Sequence, residues 1–386
     1  MSSAAWSSRI LRLCAFPRFT LVLLAHSCVF GFSRLAHRNN WAVLIDTSRY
    51  WYNYRHVANT LSFYRTVRRL GIPDSNIILM LAEDIACSTR NVHPGSVFND
   101  AKHGVNLYGR NVEVDYRGDD TSTENVLRLF TGRHSPLTPR SKRLMSDASS
   151  NVFVFMAGHS GSHFVKVQDW EEVTSVDLAH AFNRMRLQGR FNKLFWVADT
   201  CQSETLQSDF YTEGILGLGS SGAHENSYSH HVDYDIGVAI IDRFTFFSLS
   251  FFENMLSHSN TSIWDWVSNF RFEQLHSRPA LRDDLFPADV RQTKLTDFLA
   301  NNGGFHFRSD LIRVDFSGSA RSDAGPHFIQ CARPQSFLPC PSMVRVAVPA
   351  PSSSTIAEVS DSQRSLGFSS SLMLFGLVAS IFQFIS

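Results

Sequence analysis

From Trp41 onward, unbroken apolar runs alternate with segments in which apolar residues recur every three or four positions. WAVLID (41–46), NIILML (76–81), NVFVFM (151–156) and KLFWVAD (193–199) have the length and the apolar content of strands buried on both faces. GILGLGSS (214–221) predicts a fifth strand. After the first run, Val57, Leu61, Tyr64 and Val67 share one face of a helix, and Gly71 marks its stop. TSTENVLRLFTG predicts a helix opened by a capping box of Thr121 and Glu124 and closed at Gly132. TSVDLAHAFNRMRLQG predicts another capped helix, and residues 242–256 a Phe-rich one. Residues from about 275 to 345 carry no pattern that assigns an element.

Wholly apolar strands separated by helices predict an α/β fold with a mostly parallel central sheet covered on both faces. Sites in such sheets form beyond the carboxyl ends of the strands. Asp46-Thr47-Ser48 and then Asn53 follow the first strand, Gly158-His159 the third, and Asp199-Thr200-Cys201 the fourth. His159 and Cys201 lie about 40 residues apart, room for one helix and one crossover that returns the chain to the same sheet. A thiol is mostly protonated at neutral pH, and an adjacent imidazole can take its proton. Small residues beside the histidine leave a main-chain N–H free to face an oxyanion, with Ser160 and Cys201 as the candidate donors. Taken singly, a cysteine after a strand is a small core residue and a histidine in a turn is solvated. Their joint placement at neighbouring strand ends is what raises a catalytic pair.

Composition adds the ends of the chain. A formal charge of +1 excludes nucleic acid as the expected partner, because no basic surplus exists to neutralise phosphates. Arg9, Arg12 and Arg18 precede the apolar run FTLVLLAHSCVFGF, so residues 1–32 read as a secretory signal peptide or an uncleaved signal anchor. Residues 301–345 form an unassigned extension, and 346–370 a Ser/Pro-rich linker. The apolar tail 371–386 reads as a short transmembrane segment, or as a removable lipid-anchor signal. Of six cysteines, Cys14 and Cys28 fall in the leader. Cys331 and Cys340 are close enough in sequence to pair, and Cys87 and Cys201 need separate explanations. Asn260-Thr261-Ser262 is a glycosylation sequon.

The blocks TSRYWYNYRHVANTLSFYRTVRRLGIPDSNIILMLAEDIAC, VEVDYRGDD, PLTPRSKRLMSDASSNVFVFMAGHSG and VADTCQSETL resemble the catalytic subunits of glycosylphosphatidylinositol (GPI) transamidases, a family among the legumain-like cysteine peptidases. The resemblance spans residues 40–298. It implies a caspase/legumain-like three-layer sandwich over residues 40–300, with no cofactor needed for the chemistry. It also implies an endoplasmic reticulum membrane complex with the catalytic domain in the lumen, acting on precursor proteins and a GPI lipid. The family's dyad maps onto His159 and Cys201, and Asn53 onto an asparagine that orients the histidine. Cys87 matches a cysteine that joins a partner subunit through a disulfide, and Asp74, Glu113 and Asp115 match a structural calcium site. Read without the resemblance, Asn53 is a helix cap or turn residue, Cys87 a free thiol, and the three acids ordinary surface charges.

One departure concerns Ser160, which stands where the family usually has glycine. Serine is strained there if φ must be positive, and serves if only its N–H is used. An asparaginyl endopeptidase with water as acceptor, and an inactive scaffold of the same fold, are the competing readings of the same residues.

Overall fold

The computed structural model describes residues 39–301. The calls made on the leader, the extension, the linker, the apolar tail, and the pair Cys331 and Cys340 lie outside these residues. The strands are β1 (Asn40–Asp46), β2 (Ile77–Leu81), β3 (Tyr116–Arg117), β4 (Asn151–Ala157), β5 (Ser160–Gly161), β6 (Phe164–Val167), β7 (Glu171–Thr174), β8 (Lys193–Asp199), β9 (Ile215–Gly219), β10 (Ser229–Asp233), β11 (Val238–Asp242) and β12 (Ala280–Arg282). Seven of them make one sheet in the order β12-β9-β8-β4-β1-β2-β3. Every neighbouring pair is parallel except β12 with β9.

The apolar runs are continuous because each strand feeds two cores. Ala42 and Leu44 of β1, Phe153 and Phe155 of β4, and Phe195 and Val197 of β8 point into one core. The alternate residues Val43 and Ile45, Val152 and Val154, and Leu194 and Trp196 point into the other. A two-residue side-chain period puts neighbours on opposite faces, so a sheet covered on both sides needs apolar residues at every position. The helices Tyr54–Arg69 and Arg243–Phe252 cover the first face, and Thr123–Thr131 and Ser175–Leu187 the second. The result is the three-layer α/β sandwich that the pattern predicts.

Local chemistry sets the helix ends. Val57, Leu61, Tyr64 and Val67 are all buried, and Gly71, at φ 102°, turns the chain back toward β2. The expected capping box of Thr121 and Glu124 does not form. Ser122 is the N-cap, accepting from the Asn125 N–H at 3.3 Å, while Thr121 is wholly buried and Glu124 pairs with Arg128. The helix starts one residue later than the pattern places it, and the Thr121 hydroxyl donates instead to the Tyr116 carbonyl at 3.4 Å. The Ser175–Leu187 helix does carry a full capping box, of Thr174 and Asp177.

The unpatterned region past residue 275 contributes an antiparallel strand and a segment that seals the first core. Phe286, Val290, Leu295, Phe298, Leu299 and Ala300 are buried there. Phe298 and Leu299 lie in a single helical turn, Thr296–Leu299, which is too short to leave a period in the sequence. Among the described residues, no helix is long and apolar enough to cross a membrane.

Candidate active site

Ala157 and Asp199 are partners in the registered pairing of β4 and β8. His159 and Cys201 each stand two residues beyond that pair, at the carboxyl ends of adjacent strands. The chain between them runs through the antiparallel sheet β5-β6-β7 and the Ser175–Leu187 helix.

His159 is held from two sides. The Lys166 N–H donates to its carbonyl at 2.8 Å, fixing its backbone at the start of the β5–β6 hairpin. Its Nε2 lies 2.8 Å from Asn53 Oδ1. Asn53 Nδ2 donates to the Arg49 carbonyl at 2.6 Å, which fixes the amide with its oxygen toward the ring. That oxygen can only accept, so Nε2 carries the hydrogen and Nδ1 is left as the basic atom. Asn53 is the residue before the Tyr54–Arg69 helix, yet it makes no side-chain cap. Its polar atoms are spent on Arg49 and His159 instead.

The turn carrying Cys201 is pinned by the end of β9. Ser221 Oγ donates to the Thr200 carbonyl at 2.8 Å, the Thr200 N–H donates to Ser220 Oγ at 3.2 Å, and the Ser203 N–H donates to Ser221 Oγ at 3.1 Å. Gln202 follows in the left-handed region at φ 48°, with its N–H on the Glu225 carbonyl at 2.8 Å. Cys201 Sγ itself has one weak contact, the Ser227 carbonyl at 3.9 Å. The thiol is therefore aimed by its backbone and only loosely held by its own atoms.

Two glycine questions are answered by the geometry. A Cβ on Gly158 would come within 2.0 Å of Thr47 Oγ1, so close approach of the β1 and β4 ends requires glycine there. Ser160 has no positive φ, being part of β5 and opposite Val165. The Lys166–His159 hydrogen bond makes that pair the bonded one, so Ser160 and Val165 form the alternate, unbonded pair. The Ser160 N–H thus points out of the hairpin ladder, as an oxyanion donor must. Its hydroxyl donates to the Cys201 carbonyl, tying the two catalytic turns together. Serine is unstrained at this position and makes a contact that glycine lacks.

A buried charged network lies behind the pair. Arg55 Nε donates to Asp242 Oδ1 at 3.0 Å and Asn59 Nδ2 donates to Oδ2 at 2.6 Å. His56 packs edge-on against His159 at 4.9 Å between ring centroids, with Nδ1 2.8 Å from Ser48 Oγ. Asp199 accepts from Ser227 Oγ at 2.9 Å and Thr245 Oγ1 at 2.7 Å. Burial, and then the Asp242 charge, push the Asp199 carboxyl well above its ordinary range. Burial, helped by the Arg55 charge, lowers the His159 pKa, and burial raises that of Cys201. Both shifts favour the neutral thiol and neutral imidazole at rest.

Arg55, His56, Ser220, Ser221, Ser227 and Asp242 were not singled out from sequence. Ser220 and Ser221 end the fifth predicted strand, so the strand-end rule pointed to them as well. Arg55 and His56 directly follow Asn53-Tyr54. Asp242 carried no such signal, since β11 belongs to a separate two-stranded sheet.

The remaining candidates lie elsewhere. His163, at φ 66°, is exposed and its Nδ1 is 3.2 Å from Asp209 Oδ2. Cys87 is free and exposed, and the Asp84 charge, ahead of burial, raises its pKa. Asp74, Glu113 and Asp115 are neighbours: burial, with the charges of Glu113 and Asp74, pushes Asp115 up to about 6. Their oxygens suit a hard cation. Asp74, however, is already held by Arg68 and by the Tyr64 hydroxyl, the latter at 2.6 Å, and Asp115 accepts the Leu79 N–H at 2.9 Å. Among the described residues no three such side chains are arranged as a metal-binding group.

The Peptidase C13 family profile matches residues 40–275. The chain belongs to the peptidase C13 family. It is a cysteine-peptidase-type enzyme, with His159 and Cys201 at the strand ends where that chemistry is expected. A protein named GPI-anchor transamidase from Saccharomyces cerevisiae is 52% identical over 68% of this chain and 64% of its own length. This chain thus spans a little under two thirds of that relative. The Homo sapiens GPI-anchor transamidase is 48% identical over 73% of this chain and 72% of its own. A putative GPI-anchor transamidase of Drosophila melanogaster is 46% identical over 79% and 86%. A solved caspase-1 from Spodoptera frugiperda overlaps 67% of this chain and 92% of its own at 9% identity and a TM-score of 0.39, too distant to carry an argument.

Proposed function

We infer that this chain is the catalytic subunit of a GPI-anchor transamidase. The observation that carries the reading is the registered placement of His159 and Cys201 beyond Ala157 and Asp199, in a chain about half identical to proteins of that name. A precursor protein presents the carbonyl of its attachment residue to Cys201. His159 Nδ1 takes the thiol proton as Sγ adds to that carbonyl, and the N–H groups of Ser160 and Cys201 face the oxyanion. The C–N bond breaks, His159 returns the proton to the departing amine, and a thioester remains. The amine of the GPI lipid then adds to the thioester and gives its proton to His159. The Cys201 thiolate leaves and is reprotonated. A neutral resting pair suits both halves, since the same imidazole must accept a proton first from sulfur and then from nitrogen.

In this reading the enzyme works in the endoplasmic reticulum membrane, with its catalytic domain lumenal, among other subunits of a complex. Exposed Cys87 is the proposed site of a disulfide to one of them, tested by mass spectrometry of its linkage in complex purified from membranes. Asp74, Glu113 and Asp115 are a proposed calcium site, in which the ion would displace Arg68 from Asp74 and relieve the repulsion felt by Asp115. A melting temperature raised by calcium in the wild type but not in Asp115→Asn tests it.

The central test is anchor attachment by the purified complex. Cys201→Ala and His159→Ala are each expected to lower it by about 10³-fold or more. Attachment retained by Cys201→Ala would overturn the reading. Peptide cleavage to water by the isolated chain, with no transfer to GPI, would favour the endopeptidase reading instead.

A further inference from the structure

The second half-reaction needs an amine beside His159, because that imidazole takes its proton. The acceptor must therefore arrive over the histidine side of the site, and what surrounds His159 there meets the part of the acceptor next to the amine. Three large aromatic side chains stand exposed on that side: Tyr50 at 46%, Tyr52 at 54% and Trp170 at 58%. Tyr50 and Tyr52 stack at 5.8 Å with an interplanar angle of 23°. The Arg49 guanidinium lies 4.8 Å from the Trp170 ring centre and 5.9 Å from that of Tyr50, joining the three rings into one surface.

This surface is built into the scaffold of the catalytic histidine. Arg49 supplies the carbonyl that fixes Asn53, and Asn53 fixes His159. Trp170 follows β6, the strand whose Lys166 N–H holds the His159 carbonyl. Tyr50, Gln168 and Asp169 all have positive φ, at 72°, 55° and 71°. Backbone in this region is costly for residues other than glycine, and such strain persists where surrounding structure enforces it. Of the three aromatic residues Tyr50 itself adopts it, and Trp170 directly follows the pair Gln168-Asp169; all three rings stand exposed, although burying them would be favourable.

The rim of the patch identifies what fits. Tyr52 Oη is 3.4 Å from Asp169 Oδ2, Glu83 Oε2 accepts the Tyr50 N–H at 2.9 Å, and Asp119 pairs with Arg49 at 3.2 Å. Lys166 Nζ lies 3.9 Å from Asp169 Oδ1. Flat apolar faces ringed by carboxylates and cations match a sugar, which has an apolar C–H face and a rim of hydroxyls. An acyl chain or an apolar peptide would strip water from those charged groups and offer them no hydrogen bond in return. A GPI acceptor brings sugars joined to its terminal amine through a phosphodiester: Glu83, Asp119 and Asp169 can accept from sugar hydroxyls, and Arg49 and Lys166, each beside a carboxylate, can still donate to a phosphodiester oxygen.

We propose that Tyr50, Tyr52 and Trp170 form a platform that stacks on a sugar ring of the GPI acceptor and so aims its amine at His159. The proposal rests on the transamidase reading and concerns its second substrate alone. The test uses the complete complex carrying Trp170→Ala or Trp170→Phe. Two rates are compared: release of the precursor's C-terminal signal to hydrazine, a small amine with no sugar, and transfer of the precursor to GPI. Trp170→Ala is expected to raise the apparent KM for GPI about 10-fold, the equivalent of one stacking contact of roughly 1.4 kcal/mol. Release to hydrazine is expected to stay unchanged, and Trp170→Phe to recover most of the loss. An equal loss of both rates, no loss of either, or loss of co-purifying subunits would overturn the platform. A wild-type complex that releases the signal to hydrazine but never transfers to GPI would overturn the transamidase reading itself, with the platform falling as a consequence.

Discussion

The ends of β4 and β8 lie side by side in one sheet, yet they hold their functional side chains in opposite ways. At the end of β4, the His159 ring is bonded to Asn53, which is bonded in turn to Arg49. At the end of β8, the backbone around Cys201 is pinned by Ser220 and Ser221, while the sulfur's hydrogen-bonding contact among the described residues is the Ser227 carbonyl at 3.9 Å. In the proposed mechanism the base must present one particular nitrogen, and side-chain hydrogen bonds fix the tautomer and angle of His159 accordingly. The nucleophile must move onto a carbonyl and back, so its support stops at the main chain. Burial acts on both and pushes each toward its neutral form. The difference between the ends is therefore one of orientation rather than of polarity.

The comparison breaks most severely at Asn53. Asn53→Ala frees the His159 ring without touching the Cys201 turn. It is expected to lower kcat by about 10²-fold with little change in KM, because misorientation of a catalytic group acts on the bound complex. An unchanged kcat would mean that packing against His56 suffices to orient the ring.

A smaller effect tests the electrostatics. In the proposed mechanism the base is neutral His159, whose pKa is depressed by burial and then by Arg55, so the acid limb of kcat/KM is expected below the ordinary histidine value of about 6.5. Arg55→Gln removes the positive charge that lowers the His159 pKa, which favours imidazolium. The acid limb is expected to move to higher pH, so activity falls most on the acid side. A limb that stays in place or moves lower would show that Arg55 does not act on His159.

The smallest expected effect joins the two ends. Ser160→Gly removes the hydroxyl that donates to the Cys201 carbonyl, while leaving the N–H that faces the oxyanion. One hydrogen bond of about 1 kcal/mol corresponds to a fall of about fivefold in kcat. A rise in kcat would mean that the tie between the turns restrains the nucleophile more than it helps.

Much of this was legible before the fold was known. The five core strands and the helices over residues 54–69, 123–131, 175–187 and 243–252 follow from apolar periodicity, because a strand buried on both faces and a helix buried on one leave different patterns. The strand-end rule led to His159 and Cys201, and the family resemblance, rather than the pattern, gave Asn53 its role. The rest was hidden for physical reasons. Strands β5 to β7 are two to four residues long, too short to establish a period. The capping box assigned to Thr121 failed because the preceding turn engages its hydroxyl with the Tyr116 carbonyl, and Ser122 caps the helix instead. The segment past residue 275 holds a strand of three residues and a helix of four, likewise too short to leave a period.

By itself, then, the order of residues determined the layers, the strands and the pair of side chains at their ends, since these depend on spacing along the chain. The tertiary structure alone decided which neighbours complete the site. Asp242 reaches Arg55, Ser227 reaches Cys201, and Ser160 reaches the Cys201 carbonyl across wide gaps in sequence. It also decided that Tyr50, Tyr52 and Trp170 share one exposed surface. Such contacts are set by register, crossover and the strained turns after β1 and β6, and residue spacing carries no record of them.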